Sequence, residues 1–243
     1  MSALPNLLVV CCVVALAGCS QPYFSRYYGE HVKRVTLTPT DAPPSTASFE
    51  QAREKWMVRL SLPDPLFSNA AVDEGRRGAP RGSGIRIWAV LYDREVIDAW
   101  VRQHSQDDSV SVEEAAHGYA ELHCPSEQFR IELKMESAFA AESLNPELWV
   151  LYLEDEEGIM YEPIAIRESA VSMKERRIYS EYHDITRTRQ TYRRSVDLYF
   201  RRIAFFGKEL LGPETELLKL VFSYRQETMG EAVWVFAPAG GAR

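Results

Sequence analysis

The chain has 243 residues, 46% of them hydrophobic and 26% charged, with a formal net charge of −7. That balance describes an ordinary globular protein and excludes a disordered one. An acidic excess also argues against nucleic acid as a partner.

The first 18 residues contain no Asp, Glu, Lys or Arg, and Leu7 to Leu16 form an unbroken apolar run of ten. Such a run is too short for a membrane-spanning helix, which needs roughly 20 apolar residues. It suits the apolar core of a signal peptide, with small residues following at a cleavage site. Those residues are Leu16, Ala17, Gly18 and Cys19. The sequence LAGC resembles the lipobox of bacterial lipoproteins. The resemblance implies cleavage before Cys19, a lipid on its sulfur and an acylated amine. If the source has two membranes, Ser20 resembles the class sorted to the outer membrane, facing the periplasm. One feature departs from the pattern: MSALPN, ahead of the apolar run, carries no Lys or Arg. The plainer alternative is a short buried core segment. If the leader is removed and Cys19 lipidated, Cys124 is the sole remaining cysteine and no internal disulfide can form. A chain of this length can bury a sufficient core without one.

Residues 19–47 read as a lipid-anchored tether. The half ending TPTDAPPSTAS is rich in Pro, Ser and Thr and should be extended. The half before it mixes Tyr23, Phe24, Tyr27 and Tyr28 with Arg26, Lys33 and Arg34. Aromatic and basic residues beside a lipid suit the headgroup layer. Alternatively they pack on the domain, with Val35 and Leu37 adding an edge strand.

The folded domain is expected over 48–238, followed by a flexible tail at 239–243. Ser48 and Gln51 have capping-box spacing, which predicts a short helix. Alternating apolar positions then predict strands at Trp56–Leu62, Ile85–Leu91 and Phe129–Met135. The second of these is flanked by Arg86, Trp88, Val90 and Tyr92, so both of its faces should be covered. The third alternates with Arg130, Glu132, Lys134 and Glu136 and is the cleanest strand of the chain. Between the second and third strands the period becomes helical, giving an insertion at about 93–123. Asp93 caps its first helix. Ser111 and Glu114 form a second capping box, and Pro125 ends the second helix. The segment 64–84 is a long loop rich in Gly, Pro and Arg.

Trp149–Leu153, a polar turn at Glu154–Gly158 and Ile159 onward read as a hairpin. This stretch resembles a strand–turn–strand piece of uncharacterised exported bacterial sandwich proteins, a likeness that implies no function. Val196–Phe200, Leu218–Phe222 and Val233–Val235 complete the strands. Many short strands with one helical insertion predict a mainly β fold: an antiparallel β-sandwich with a helical insertion and a short N-terminal helix.

Chemistry is sparse. His117, His123 and Cys124 are the one sequence cluster of metal-type residues, but their spacing does not match zinc sites. Cys124 is expected to pack as a small hydrophobe. No Gly-x-Ser-x-Gly elbow or phosphate-cradling glycine motif is present. Paired acids sit at predicted turns and helix starts, where solvated carboxylates are common. No catalytic residue, metal or cofactor is assigned. The charge feature above background is 174–202, with nine Lys/Arg against four Asp/Glu. If it is a hairpin, alternation puts Arg187, Arg189 and Arg193 on one face. With Arg194 these form a candidate anion-binding set, because arginine forks suit phosphate and carboxylate. The plainer alternative is a solvated hairpin paired with the chain's own acids.

The sequence therefore supports a non-catalytic, lipid-anchored domain of the cell envelope. Its expected partners are the membrane, through Cys19, and an anionic envelope component or a protein. The alternative is an envelope hydrolase using two carboxylates in a cleft.

Overall fold

The computed structural model describes residues 31–38, 43, 45–66, 84–180 and 185–237, apart from the side chains of 177–180, 185–187, 189 and 206. The leader, Cys19, most of the tether, most of the 64–84 loop and the tail at 239–243 lie outside the described residues.

The fold is mainly β and is built as two sheets. Its strands are β1 (Val32–Val35), β2 (Met57–Pro63), β3 (Gly84–Leu91), β4 (Gln128–Ser137), β5 (Val150–Asp155) and β6 (Met160–Tyr161). They continue as β7 (Ala165–Glu168), β8 (Ser172–Ser180), β9 (Ile185–Arg201), β10 (Leu217–Tyr224) and β11 (Glu227–Phe236). The helices are α1 (Phe49–Trp56), α2 (Arg94–Asp107) and α3 (Val112–His123). The first sheet has the order β1-β11-β10-β5-β6. The second has the order β2-β3-β4-β9-β7, with β8 also paired to β9. All pairings are antiparallel except β1 with β11, which is parallel.

The core lies between the sheets and follows the period-2 alternation of the strands. The second sheet contributes Val58, Leu60, Ile85, Ile87, Ile131, Leu133, Val196 and Leu198, all at 4% exposure or less. The first sheet contributes Leu151, Leu153, Leu218, Leu220, Phe222, Trp234 and Phe236. In β11 the buried positions are Ala232, Trp234 and Phe236, so Val233 and Val235 occupy the outer side. Trp234 ties the two layers: its Nε1 donates to the Trp56 carbonyl at 2.9 Å, giving a buried indole N–H its partner. Where β11 passes β2, Gly230 faces Leu62, and a Cβ there would collide with the Leu62 side chain.

β1 pairs with β11 from Val32 to Val35, and Leu37 packs on the core, which is the edge-strand alternative for this part of the chain. Asp93 stands at the N-cap of α2 without a side-chain cap bond; its carboxylate instead accepts from the Thr38 amide at 3.1 Å. Ser48 makes both arms of a capping box with Gln51 at the start of α1, and Ser111 accepts from the Glu114 amide at the start of α3.

Cys124 corrects a further expectation. It is exposed rather than packed, and it ends α3 in the left-handed conformation, with φ 43 and ψ 55. Its amide donates to the Ala120 carbonyl at 2.9 Å, so the position serves as a helix stop. No helix among the described residues is long and apolar enough to cross a membrane.

Candidate functional site

Side chains on β4 at Arg130, Glu132, Lys134 and Glu136 point away from the core, because the alternate positions Phe129 to Met135 fill it. Strand order places β3 on one side of β4 and β9 on the other. The register then builds rows across the outer face of the second sheet. One row runs Ser61, Arg86, Glu136, Arg193 and Ser172. The next runs Arg59, Trp88, Lys134 and Ser195, and the one after it Met57, Val90, Glu132, Asp197 and Arg167.

The two ends of this face have different cover. At one end lies a mostly buried polar network. Arg130 stacks its guanidinium 3.6 Å from the centroid of Tyr92 and 5.9 Å from that of Tyr119 on α3. Its Nη1 reaches Asp197 and His123 Nε2, each at 3.5 Å. His123 Nδ1 lies 2.8 Å from the Tyr199 hydroxyl. A guanidinium only donates, so Nε2 facing it must be the lone-pair nitrogen, and Nδ1–H donates to Tyr199. Burial, then the Arg130 and Arg167 charges, push the imidazole down to about 4. Burial likewise raises the Tyr92 and Tyr119 hydroxyls and the Asp197 carboxyl. Trp100 on α2 packs on Tyr119 at 5.1 Å and stacks on His104 at 4.4 Å, closing the cover. His123 is 6% exposed and Tyr199 1%.

At the other end no residue of α2 or α3 borders the face, and only Arg53 of α1 does. A shallow basin of about 560 Å³ opens there. Arg53, Arg59, Arg86, Lys134, Arg193 and Arg194 line it, against a single lining carboxylate, Glu136. Trp88, half-buried, lies among them with the Arg86 guanidinium 5.7 Å above its ring. The Glu136 side chain is 6% exposed, whereas those of Arg86 and Arg193 are 58% and 53% exposed. Arg86 pairs with Glu136 Oε1, and Arg193 Nε donates to Oε2 at 2.8 Å. One buried carboxylate thus holds two exposed guanidiniums. Two outward positions further along β4, past Lys134, Glu132 accepts from Tyr92 at 2.9 Å and from Arg53 at 3.2 Å. The Arg53 side chain is only 7% exposed, and its buried Nε has no partner among the described residues.

The β8–β9 hairpin extends this face. Beyond Tyr192, the partner of Ser137 at the end of β4, β9 continues with β8. Arg189 stands opposite Arg176, Arg187 opposite Ile178 and Thr191 opposite the exposed Lys174. Arg187 and Arg189 fall at the same register parity as Arg193; their side chains lie outside the described residues. Arg194 has the opposite parity. It is mostly buried, pairs with Glu168 at 2.9 Å and donates to the Leu144 carbonyl at 3.5 Å. The set read from sequence therefore splits. Arg193 belongs to the open face, and Arg194 braces β9 against β7 and the 3-10 turn before β5.

Sequence reasoning missed Arg59, Arg86, Trp88, Lys134 and Glu136 as site residues. Their alternation was visible, but the adjacency of β4 and β9 was not. Elsewhere, Asp155 is buried and accepts from Lys208, Tyr161 and the Glu157 and Ile159 amides, which pins the β5–β6 turn at Gly158 (φ 77). Asp64 accepts from Ser143 at 2.7 Å, and burial raises its carboxyl. Val150, Met160, Ile164, Ile203 and Phe205 line an exposed apolar groove of about 680 Å³. His117 is exposed while His123 is buried, and the described residues contain no group of three or more His, Cys, Asp or Glu able to hold a metal.

No protein-family model matches the chain, and no curated protein matches it in sequence.

Proposed function

We propose that this chain is a lipid-anchored, non-catalytic domain of the cell envelope. It holds an anionic envelope component on the open end of its second sheet. The observation that carries the reading is the basin: the exposed guanidiniums of Arg86 and Arg193 share one buried carboxylate, Glu136, and Lys134 stands beside them with an acid no nearer than 3.8 Å, while Arg53, Arg59 and Arg194 on its walls are paired with Glu132, Glu54 and Glu168. Cations gathered in one concavity create a local positive potential that a net negative charge does not cancel at short range. The two glutamates of this face favour a binding role over the alternative of a hydrolase with two carboxylates in a cleft. Glu132 and Glu136 are each engaged by guanidinium groups, which leaves neither free to take a proton from water. The anchor rests on LAGC closing a ten-residue apolar run. By resemblance to lipoproteins with Ser after the cysteine, in a source with two membranes the domain faces the periplasm from the outer membrane.

Two measurements test this. Metabolic labelling with a fatty-acid analogue should mark the wild-type chain and not Cys19→Ala; equal labelling of both removes the anchor from the account. Purified chain should co-sediment with anionic cell-wall fragments or vesicles, and added salt should weaken that binding. Salt-insensitive binding, or none, removes the anionic partner.

A further inference from the structure

We infer that the basin is a phosphate site with a sugar subsite, so that its ligand is a phosphorylated sugar. The inference rests on the anion-binding reading above and names its ligand.

The phosphate position follows from the row Arg86–Glu136–Arg193. The two arginines stand on β3 and β9, with β4 between them. Two strand spacings place their backbones about 10 Å apart. Each guanidinium carries five N–H donors in a rigid fork. Arg86 contacts Glu136 through Nη2 and Arg193 through Nε, which leaves further donors on each. More than half of each side chain is exposed, so an anion can reach them. Forks converging from two strands suit a group whose oxygens diverge in several directions. A phosphate has three such oxygens, whereas a single fork already satisfies a carboxylate. The trio carries one net positive charge. Lys134, with its nearest acid at 3.8 Å, adds a second within the basin. Glu136 is then a positioning residue: its buried carboxylate fixes where the two forks stand.

The sugar position follows from Trp88. It lies two residues from Arg86 on the same strand, and directly opposite Lys134 on β4. The half-buried indole lies under the Arg86 guanidinium, 5.7 Å from its ring centroid, with Ser195 in the same row, and gives the basin an apolar patch next to the phosphate position. The C–H face of a pyranose covers an indole face well, while its hydroxyls stay at the polar rim. A bare phosphate leaves that patch unused, and an acyl chain gives the rim serine and lysine nothing to bond. A phosphate joined directly to a sugar ring uses both halves of the basin.

The test is titration of the full chain with α-glucose 1-phosphate and with inorganic phosphate at matched ionic strength, followed by NMR of the indole and guanidinium N–H signals. Glucose 1-phosphate should bind about tenfold more tightly than inorganic phosphate, as an added aromatic contact gives. Trp88→Ala should abolish that preference while keeping phosphate binding, and Arg86→Gln should weaken both ligands. Glu136→Gln should weaken both as well, with thermal stability and the NMR spectrum of the core otherwise retained. Vesicles carrying a phosphorylated glycolipid distinguish the source. Displacement of the chain from them by glucose 1-phosphate assigns a lipid headgroup, and binding of the soluble sugar without vesicle binding assigns a soluble glycan. Phosphate bound without sugar preference, or a preference that survives Trp88→Ala, overturns the inference and leaves the anionic reading standing. No salt-sensitive binding of any anion sinks both.

Discussion

The two ends of the outer face of the second sheet use the same residue types and reach opposite outcomes. At the covered end Arg130, Glu132, Asp197 and the aromatic rings of Tyr92, Tyr119 and Tyr199 form a closed network with His123. At the open end Arg86, Lys134, Arg193, Glu136 and Trp88 stand on continuations of the same strands. What separates them is the helical layer, carried by Tyr119 and His123 of α3 and Trp100 of α2. Burial makes a guanidinium depend on every partner it has, whereas exposure leaves it hydrated and available. The fate of a charged side chain here follows from its cover, not from its identity.

The largest expected effect breaks the covered end. Arg130→Ala removes a cation that Tyr92, Asp197 and His123 all face, and should cost about 3–5 kcal/mol. The equivalent change at the open end, Arg86→Ala, should cost about 1 kcal/mol or less. Chemical denaturation of the two variants measures the contrast. Equal losses would mean that the open arginines are also structural.

A smaller effect is pH dependence. His123 is depressed from its usual value of 6.5 to about 4, so the unfolded chain binds the proton first. Its contribution to stability is complete above about pH 6.5 and falls away as pH drops toward 4, by at most ~1.4 kcal/mol per pH unit. Asp197, raised by burial, acts with the opposite sign, its folded form gaining a proton before the unfolded one. The comparison with His123→Asn isolates the imidazole: the variant should lose less stability than wild type between pH 6.5 and 4, as seen in thermal melts across that range.

Smaller again is the end of the cover itself. Cys124 holds a left-handed conformation that costs an L-residue about 1 kcal/mol and glycine almost nothing. Cys124→Gly should raise stability by about 0.5–1 kcal/mol, while Cys124→Ala should leave it within about 1 kcal/mol of wild type. A large loss on either change would show that the thiol has a contact that matters.

Much of the fold was legible because its signals are local. The alternation of Phe129–Glu136 marks β4 and says which side chains leave the core. The change of period after Asp93 marks α2 and α3. The site was legible only in part because it depends on strand order. Arg193 was visible as a cation, but its partner Glu136 lies 57 residues earlier, and no local pattern pairs them. Adjacency in sequence groups Arg194 with Arg193, but neighbours on a strand face opposite sides. The alternation at 85–91 predicts cover on both faces, and that holds only for the second half of the strand. Val90 and Tyr92 are buried, while Arg86 is exposed. The sequence around β3 does not say how far the helices reach.

The most direct test of the account compares the full chain with a double variant, Arg86→Gln with Arg193→Gln, for binding to anionic vesicles beyond neutral ones. A lipid anchor contributes equally to both vesicle types, so the difference reports the domain face. The account expects the wild-type difference to shrink as salt is raised, and the double variant to lose most of it at low salt with its thermal midpoint nearly unchanged. A double variant that unfolds, or one that keeps the full salt-sensitive difference, would contradict the claim that the open end of this sheet binds an anion.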